Sequence, residues 1–181
     1  MIRLRAIDRE DLPQLRTWRN ALMATGTVRQ WRHLGSEDQE AWWLSVRDDK
    51  THIMRAVESC EERDGPEAEG TPRLIGVVGL TYCDWIHHRA EASIYIGDEG
   101  ARGAGFGGEA LVALLNYGFL LVNLHRIYAE IFSHNSTSLG LFEKVGFVRE
   151  GILREHHYYN GQWCDSVMVG ILADEWIRRS K

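Results

Sequence analysis

Apolar positions change their period several times along this chain, and the changes divide it into elements. Ile2, Leu4 and Ala6 alternate with Arg3 and Arg5, the period-two pattern of a half-buried strand. Asp8 is placed to cap a helix and Asp11 adds charge to its first turn. Leu12, Leu15 and Trp18 then recur at helical spacing, to an end near Asn20. Residues 21–35 carry no clear period. Ser36 with Gln39 reads as a capping box, continued by Trp42, Trp43 and Val46 as a second helix. Residues 52–58 alternate as a strand. Residues 59–72 are polar and acidic and hold two prolines, which predicts a loop insertion between strands rather than a domain linker.

Strand signals resume at 74–82 and, after a turn at 84–88, at 91–96. A glycine-rich turn then leads into a helical run at 110–117. Residues 126–132 are strand-like. Asn135 or Ser136 caps a short helix through Leu139, Phe142 and Val145, and Gly146 is placed to end it. Strands follow at 147–154 and 163–172, with Asn160-Gly161 as a turn. The order is that of an α+β (mixed α/β) fold, mainly antiparallel with helices inserted, and without an internal repeat.

Composition narrows the class. At 181 residues one domain over 1–181 is the expectation, and 44% hydrophobic with 26% charged residues is ordinary for a globular chain. A formal net charge of -5 argues against nucleic-acid binding as the main role. No apolar run reaches spanning length, and Met1-Ile2-Arg3-Leu4-Arg5 is not a secretion signal, so neither nucleic acid nor membrane is an expected partner. Cys60, Cys83 and Cys164 are far apart and odd in number, which suits reduced thiols in a cytoplasmic protein.

The candidate chemistry centres on residues 99–110, with glycines at 100, 103, 105, 107 and 108. Strand, glycine turn and helix together present backbone N–H groups and a positive helix end to an anion. Glycine lets phosphate oxygens approach, and Arg102 is a candidate phosphate partner. A dinucleotide fingerprint would need this unit near the start of the chain, whereas here it lies past the middle. The segment Arg102-Gly103-Ala104-Gly105-Phe106-Gly107 is an R-x-x-G-x-G turn. It resembles the pyrophosphate-binding turn of the GNAT superfamily of acyl-CoA-dependent N-acetyltransferases. Asn135-Ser136-Thr137-Ser138-Leu139-Gly140-Leu141-Phe142-Glu143-Lys144-Val145-Gly146-Phe147 resembles that superfamily's second motif. The C-terminal piece around Arg154–Asp165 is similar to its Rim-type branch.

The resemblance implies a central, mostly antiparallel twisted sheet of about seven strands, splayed in the middle, with about four helices. It also implies acetyl-CoA as cosubstrate. Ile94, Tyr95 and Ile96 would line the pantetheine arm, with Asn135 and Phe142 beside it. The N–H groups of Arg102, Gly103, Ala104, Gly105, Phe106, Gly107 and Gly108 would cradle the pyrophosphate. An amine would attack the thioester directly, with a base taking its proton. Glu130, five residues before Asn135 on the adjoining strand, is the first candidate base and Glu91 the second. The superfamily's tyrosine acid is replaced here by Phe142. Ser138 or water would then protonate the thiolate, or it would leave unprotonated; Tyr158 or Tyr159 could also reach in from the final hairpin.

The acceptor is less defined. Residues 15–20 and 36–43 are similar to acetyltransferases of nucleotide-linked amino sugars. Arg19 or Arg29 would then meet a diphosphate, with Trp18, Trp31, Trp42 or Trp43 covering a ring. Trp18, Arg19, Trp31 and Tyr158 are the candidate acceptor residues. Acetylation of a protein N-terminus is the alternative enzyme reading, and CoA binding without catalysis the non-enzymatic one. A homodimer is also expected. No metal is expected: His87-His88 and His156-His157 are adjacent pairs, and neighbours on a strand point to opposite faces.

Overall fold

The computed structural model describes residues 1–60 and 72–179. Most of the acidic loop anticipated at 59–72, namely residues 61–71, lies outside the described residues. Seven strands form one sheet: β1 (Ile2–Arg5), β2 (Ile53–Ser59), β3 (Arg73–Asp84), β4 (Arg89–Ile96), β5 (Arg126–Phe132), β6 (Val148–Tyr159) and β7 (Gln162–Leu172). Their order is β1-β2-β3-β4-β5-β7-β6, and every neighbour pair is antiparallel except β4–β5. The helices are α1 (Leu12–Ala24), α2 (Ser36–Asp48), α3 (Phe106–Asn116), α4 (Ser136–Val145) and α5 (Ala173–Arg179).

Helices cover both faces of the sheet. On one face Leu111, Leu114 and Leu115 of α3 and Leu139 and Phe142 of α4 pack on Val78, Leu80, Ile127, Val169 and Ile171. On the other, Leu12 and Leu15 of α1 and Trp42 and Trp43 of α2 pack around Ala56 and Val77. Strand β3 therefore reads as a nearly continuous apolar run from Ile75 to Leu80, since it is buried on both sides. A Cβ on Gly79 would lie 2.6 Å from the Ile53 carbonyl oxygen, so only glycine fits there.

Several boundaries differ from the sequence expectation for identifiable reasons. Helix α1 runs one turn past Asn20, to Ala24, where Thr25 caps it and Gly26 takes φ +62°. The capping box at α2 is shifted by one residue. Gly35 is the N-cap, and Asp38, not Gln39, reaches back to accept from the Gly35 N–H at 2.8 Å. Gln39 is instead 2% exposed, and Arg32 pairs with Asp38. Helix α5 was not anticipated; it follows β7 without a break residue. Glu175 accepts from the Leu172 N–H, and Trp176 donates its ring N–H to Asn116 on α3.

The first strand is tied to the first helix by charge. Arg5 on β1 donates to Glu58 of β2 at 2.6 Å and to both oxygens of Asp11 at 2.6 and 2.8 Å. Asp11 also accepts from the Asp8 N–H. Burial alone would raise Asp11, but the Arg5 and Asp8 hydrogen bonds outweigh it and hold the carboxyl below its usual range.

Candidate active site

The parallel ladder between β4 and β5 is short. It pairs Arg89 with Arg126, Ala90 with Ile127 and Glu91 with Tyr128, and then stops. Beyond Glu91, β4 stays with β3 while β5 stays with β7, so the two strands part. The gap is a cleft of about 300 Å³, lined by Glu91, Ser93 and Tyr95 on one side and Glu130, Ile131 and Phe132 on the other. Asn135, Ser138 and Phe142 close it along α4, and Arg19, Arg29 and Trp42 along α1, α2 and the loop between them. A larger hollow of about 440 Å³ lies between α2 and β2; of the residues singled out in the sequence as candidate site residues, only Trp42 and Trp43 line it.

The glycine turn stands at the far end of β4. Gly103 and Gly105 take φ +78° and +90°, which L side chains rarely adopt, and among the described residues nothing lies within 4 Å of where their Cβ atoms would be. Among the described residues, none accepts from the backbone N–H groups of residues 103–107. Free N–H groups, open space and the head of α3 together fit an anion such as a pyrophosphate. Gly108 differs, since its N–H is taken by the Gly105 carbonyl. Arg102 braces the turn, donating to the carbonyls of Ile96 and Gly97.

Charge concentrates at the mouth of the cleft. Arg29, from the loop between α1 and α2, donates to Glu91 Oε1 at 2.6 Å and to Glu130 Oε2 at 3.1 Å. His156 Nε2 lies 3.4 Å from Glu130 Oε1. Burial would lower the Arg29 pKa, but the hydrogen bond to Glu91 and the charges of both glutamates raise it, so the guanidinium stays charged. Tyr128, next to the mouth, is pushed up by burial and by the Glu91 charge. Tyr95 is pushed up by burial; its hydroxyl has no partner among the described residues.

The other expected residues are placed as follows. Asn135 caps α4, its Oδ1 accepting from the Ser138 N–H at 3.1 Å, which leaves its amide N–H₂ for a ligand. Phe142 lies edge-on to Phe147 with ring centroids 4.8 Å apart and brings no proton to the cleft. Ile94 and Ile96 are partly buried and pack against the core on the α3 face, and Ile94 also lines the cleft. Arg19 lines the cleft, bonded to Gln30 and lying over Trp42. Trp18, Trp31 and Tyr158 do not line it. Trp18 lies against the Gly97 backbone at the end of β4; Trp31 is 85% exposed beside Arg32; Tyr158 packs on Trp163 in the outer hairpin.

Tyr128 and His156 join the mouth without having been anticipated. Tyr128 was legible, two residues before Glu130 and so on the same strand face. His156 was not. A register shift between Leu153 and His157, with Glu155 at φ +49°, breaks the alternation of β6. As a result His156 reaches Glu130 while His157 stacks on Phe132 at 3.9 Å, both toward β5. The strand-alternation argument about this histidine pair therefore fails locally.

An opened parallel strand pair beside an anion cradle is the architecture of the acetyl-CoA-dependent N-acetyltransferases, and that is the class of this domain. The chain belongs to the acetyltransferase (GNAT) domain family, whose profile matches residues 2–148. It is 37% identical over 108 residues to spermidine N(1)-acetyltransferase of Vibrio cholerae, a match covering 60% of this chain and 62% of that enzyme. It is 29% identical over 182 residues to spermidine N(1)-acetyltransferase of Escherichia coli, covering 99% and 90%. The crystal structure of spermidine N-acetyltransferase from Vibrio cholerae in complex with CoA and spermine superposes with a TM-score of 0.85 at 27% identity, over 97% of this chain and 98% of that one.

Proposed function

We propose that the chain acetylates a primary amine of a small polycation of the polyamine class. The observation that carries this is the pair of carboxylates, Glu91 and Glu130, held on one guanidinium at the mouth of the cleft. A site where two carboxylates share one cation suits an ammonium group. The relatives named for spermidine support the same acceptor class.

Acetyl-CoA, when bound, supplies the acetyl group as a thioester. The N–H groups of residues 103–107 would hold its pyrophosphate, and the Asn135 amide would reach its arm. Glu91 and Glu130 attract the amine as its ammonium and orient one nitrogen toward the thioester. Glu130 takes one proton, directly or through water, so that the neutral nitrogen can form the new C–N bond. The C–S bond breaks with CoA leaving as its thiolate, and the second amine proton passes to that thiolate or to solvent. Holding both reactants in line supplies much of the rate.

A second reading rests on Arg19, which lines the cleft over Trp42: arginine and tryptophan together suit the phosphate and base of a nucleotide-linked amino sugar. The deciding experiment offers purified protein acetyl-CoA with spermidine, amino-sugar nucleotides and short peptides, following CoA release and product mass. Acetylated spermidine with inert sugars and peptides is the expected result; turnover of the sugars or peptides alone overturns the polyamine assignment. A homodimer is part of the same proposal. The outer strand β6 exposes Val148, Ile152 and Tyr158, and sedimentation velocity would read the mass.

A further inference from the structure

We infer that His134, His157 and Cys164 form a binding site for a thiophilic divalent cation, with Zn²⁺ the best match. The three residues come from separate parts of the chain. His134 follows the end of β5, and His157 and Cys164 face each other across the β6–β7 ladder. One ligand atom from each lies within 4.8 Å of the other two. Directly opposed residues on antiparallel strands share one face, so the His157–Cys164 pairing is fixed by register rather than by chance side-chain placement. Two imidazoles and a thiol are the donor set that zinc prefers. Its bond lengths place ligand atoms roughly 3.3–3.8 Å apart, a closure of about 1 Å that side-chain rotation supplies.

A second observation points the same way. Among the described residues neither ring nitrogen of His157 has a hydrogen-bond partner, although both are buried. Buried polar atoms without partners are rare and costly, and a metal would satisfy one of these. The rings are already held for the task. His157 is stacked on Phe132 at 3.9 Å and His134 on Tyr159 at 4.5 Å, which fixes both ring planes and leaves the in-plane lone pairs available. His134 Nε2 donates to the Gly26 carbonyl at 3.0 Å, so in the neutral ring the lone pair is on Nδ1. A ligand histidine whose other nitrogen donates to a backbone carbonyl is the usual outer-shell arrangement at metal sites. Among the described residues the Cys164 sulfur makes one long contact, 3.9 Å, to the Gln162 carbonyl. On binding, the thiol gives up its proton to solvent and the thiolate becomes the ligand.

The position gives the site a consequence. His134 holds Gly26 at the start of the loop that carries Arg29, and Phe132 under His157 lines the cleft. A bound ion would join the β6–β7 hairpin to that loop and steady the mouth of the acceptor site.

The test uses chelator-treated full-length protein and Zn²⁺ in competition with a chromophoric chelator. The expected result is one equivalent bound by the parent chain, and at least about tenfold weaker binding by Cys164→Ser, which keeps the size of the side chain. His134→Ala provides an independent ligand deletion with the same expectation. Co²⁺ substitution gives a readout separate from folding and activity: a thiolate-to-cobalt charge-transfer band in the parent, absent in Cys164→Ser. Equal zinc affinity of parent and Cys164→Ser, or cobalt loading without the thiolate band, overturns the site.

Discussion

Arg29 and Glu91 are 62 positions apart in the chain, yet a guanidinium nitrogen of one lies 2.6 Å from a carboxylate oxygen of the other. The same nitrogen reaches Glu130 at 3.1 Å. Under the polyamine proposal Arg29 stands where the acceptor ammonium would stand, and the substrate would have to displace it. The Arg29 side chain is about half exposed, so the contact is worth only about 1 kcal/mol. Arg29→Ala should lower KM for spermidine by about threefold to tenfold and leave kcat nearly unchanged. Steady-state kinetics reads the sign. A higher KM for an anionic, nucleotide-linked acceptor would instead assign Arg29 to phosphate recognition.

The two carboxylates at the mouth are not equivalent. Glu91 sits at the last position of β4 that pairs with β5, whereas Glu130 lies past the point where these two strands part. Glu130→Gln keeps size and hydrogen bonding but removes basicity. It should lower kcat by about 10²–10⁴-fold, most strongly at low pH, with acetyl-CoA affinity intact. If kcat is unchanged across the pH range, the proton goes to Glu91 or to bulk water.

The part of this site made by backbone was legible in the sequence, and the part made by long side chains was not. Gly103, Gly105 and Asn135 mark local geometry, a left-handed turn and a helix cap, and such signals survive without knowledge of the fold. Seven strands and their splay followed from the motifs flanking β4 and β5. The acceptor side depended on residues 21–35, which have no period; nothing local says that Arg29 turns inward while Trp31 turns out. Trp18 illustrates the same limit. Its helical spacing with Leu15 marked a buried face, but its seat against Gly97 depends on the end of a strand that is distant in the sequence and adjacent only in the fold. The bulge that brings His156 to Glu130 carries no sequence mark at all.

The glycine turn predicts a separation of stability from affinity. Gly105 at φ +90° strains any side chain, so Gly105→Ala should destabilise by about 1–2 kcal/mol. Among the described residues no atom lies within 4 Å of the new methyl, so the fold itself has room for it. A bound phosphate would not. Calorimetry on the folded variant should show acetyl-CoA binding weakened by at least about tenfold, near 1.4 kcal/mol. Unchanged affinity would move the pyrophosphate elsewhere.

The Arg5 cluster predicts acid sensitivity. Burial raises Asp11 and Glu58, but hydrogen bonds from Arg5, joined by Arg3 at Glu58, bring both below the usual carboxylate range. A depressed carboxylate stabilises the fold above its unfolded pKa and loses that contribution as pH falls through the folded one. Thermal stability should therefore hold from neutral pH to about 5 and fall below about 4. Asp11→Asn should cost about 1–3 kcal/mol at neutral pH, because Arg5 keeps its charge without one partner, and should flatten the acid limb. Thermal melts of both proteins between these pH values check it; parallel curves would remove Asp11 from the account.

Phe142 tests how the thiolate leaves. It occupies the position where the family motif carries a tyrosine, is 2% exposed, packs edge-on to Phe147 and still lines the cleft. A phenol there would be a proton donor; a phenyl ring is not. A thiol has a pKa near 8.5, so its anion departs readily near neutral pH and protonation assists it little. Proton removal from the amine, whose pKa is near 10, is then the step that needs help, the role proposed for Glu130. Phe142→Tyr should accordingly change kcat by less than about threefold, and Ser138→Ala likewise, where true general-acid help is typically worth about 10²–10⁴-fold. Single-turnover rates of CoA release across pH separate the cases. A gain of tenfold or more from the added phenol would show that thiolate departure limits this enzyme, and a comparable loss in Ser138→Ala would identify Ser138 as the donor that Phe142 does not provide.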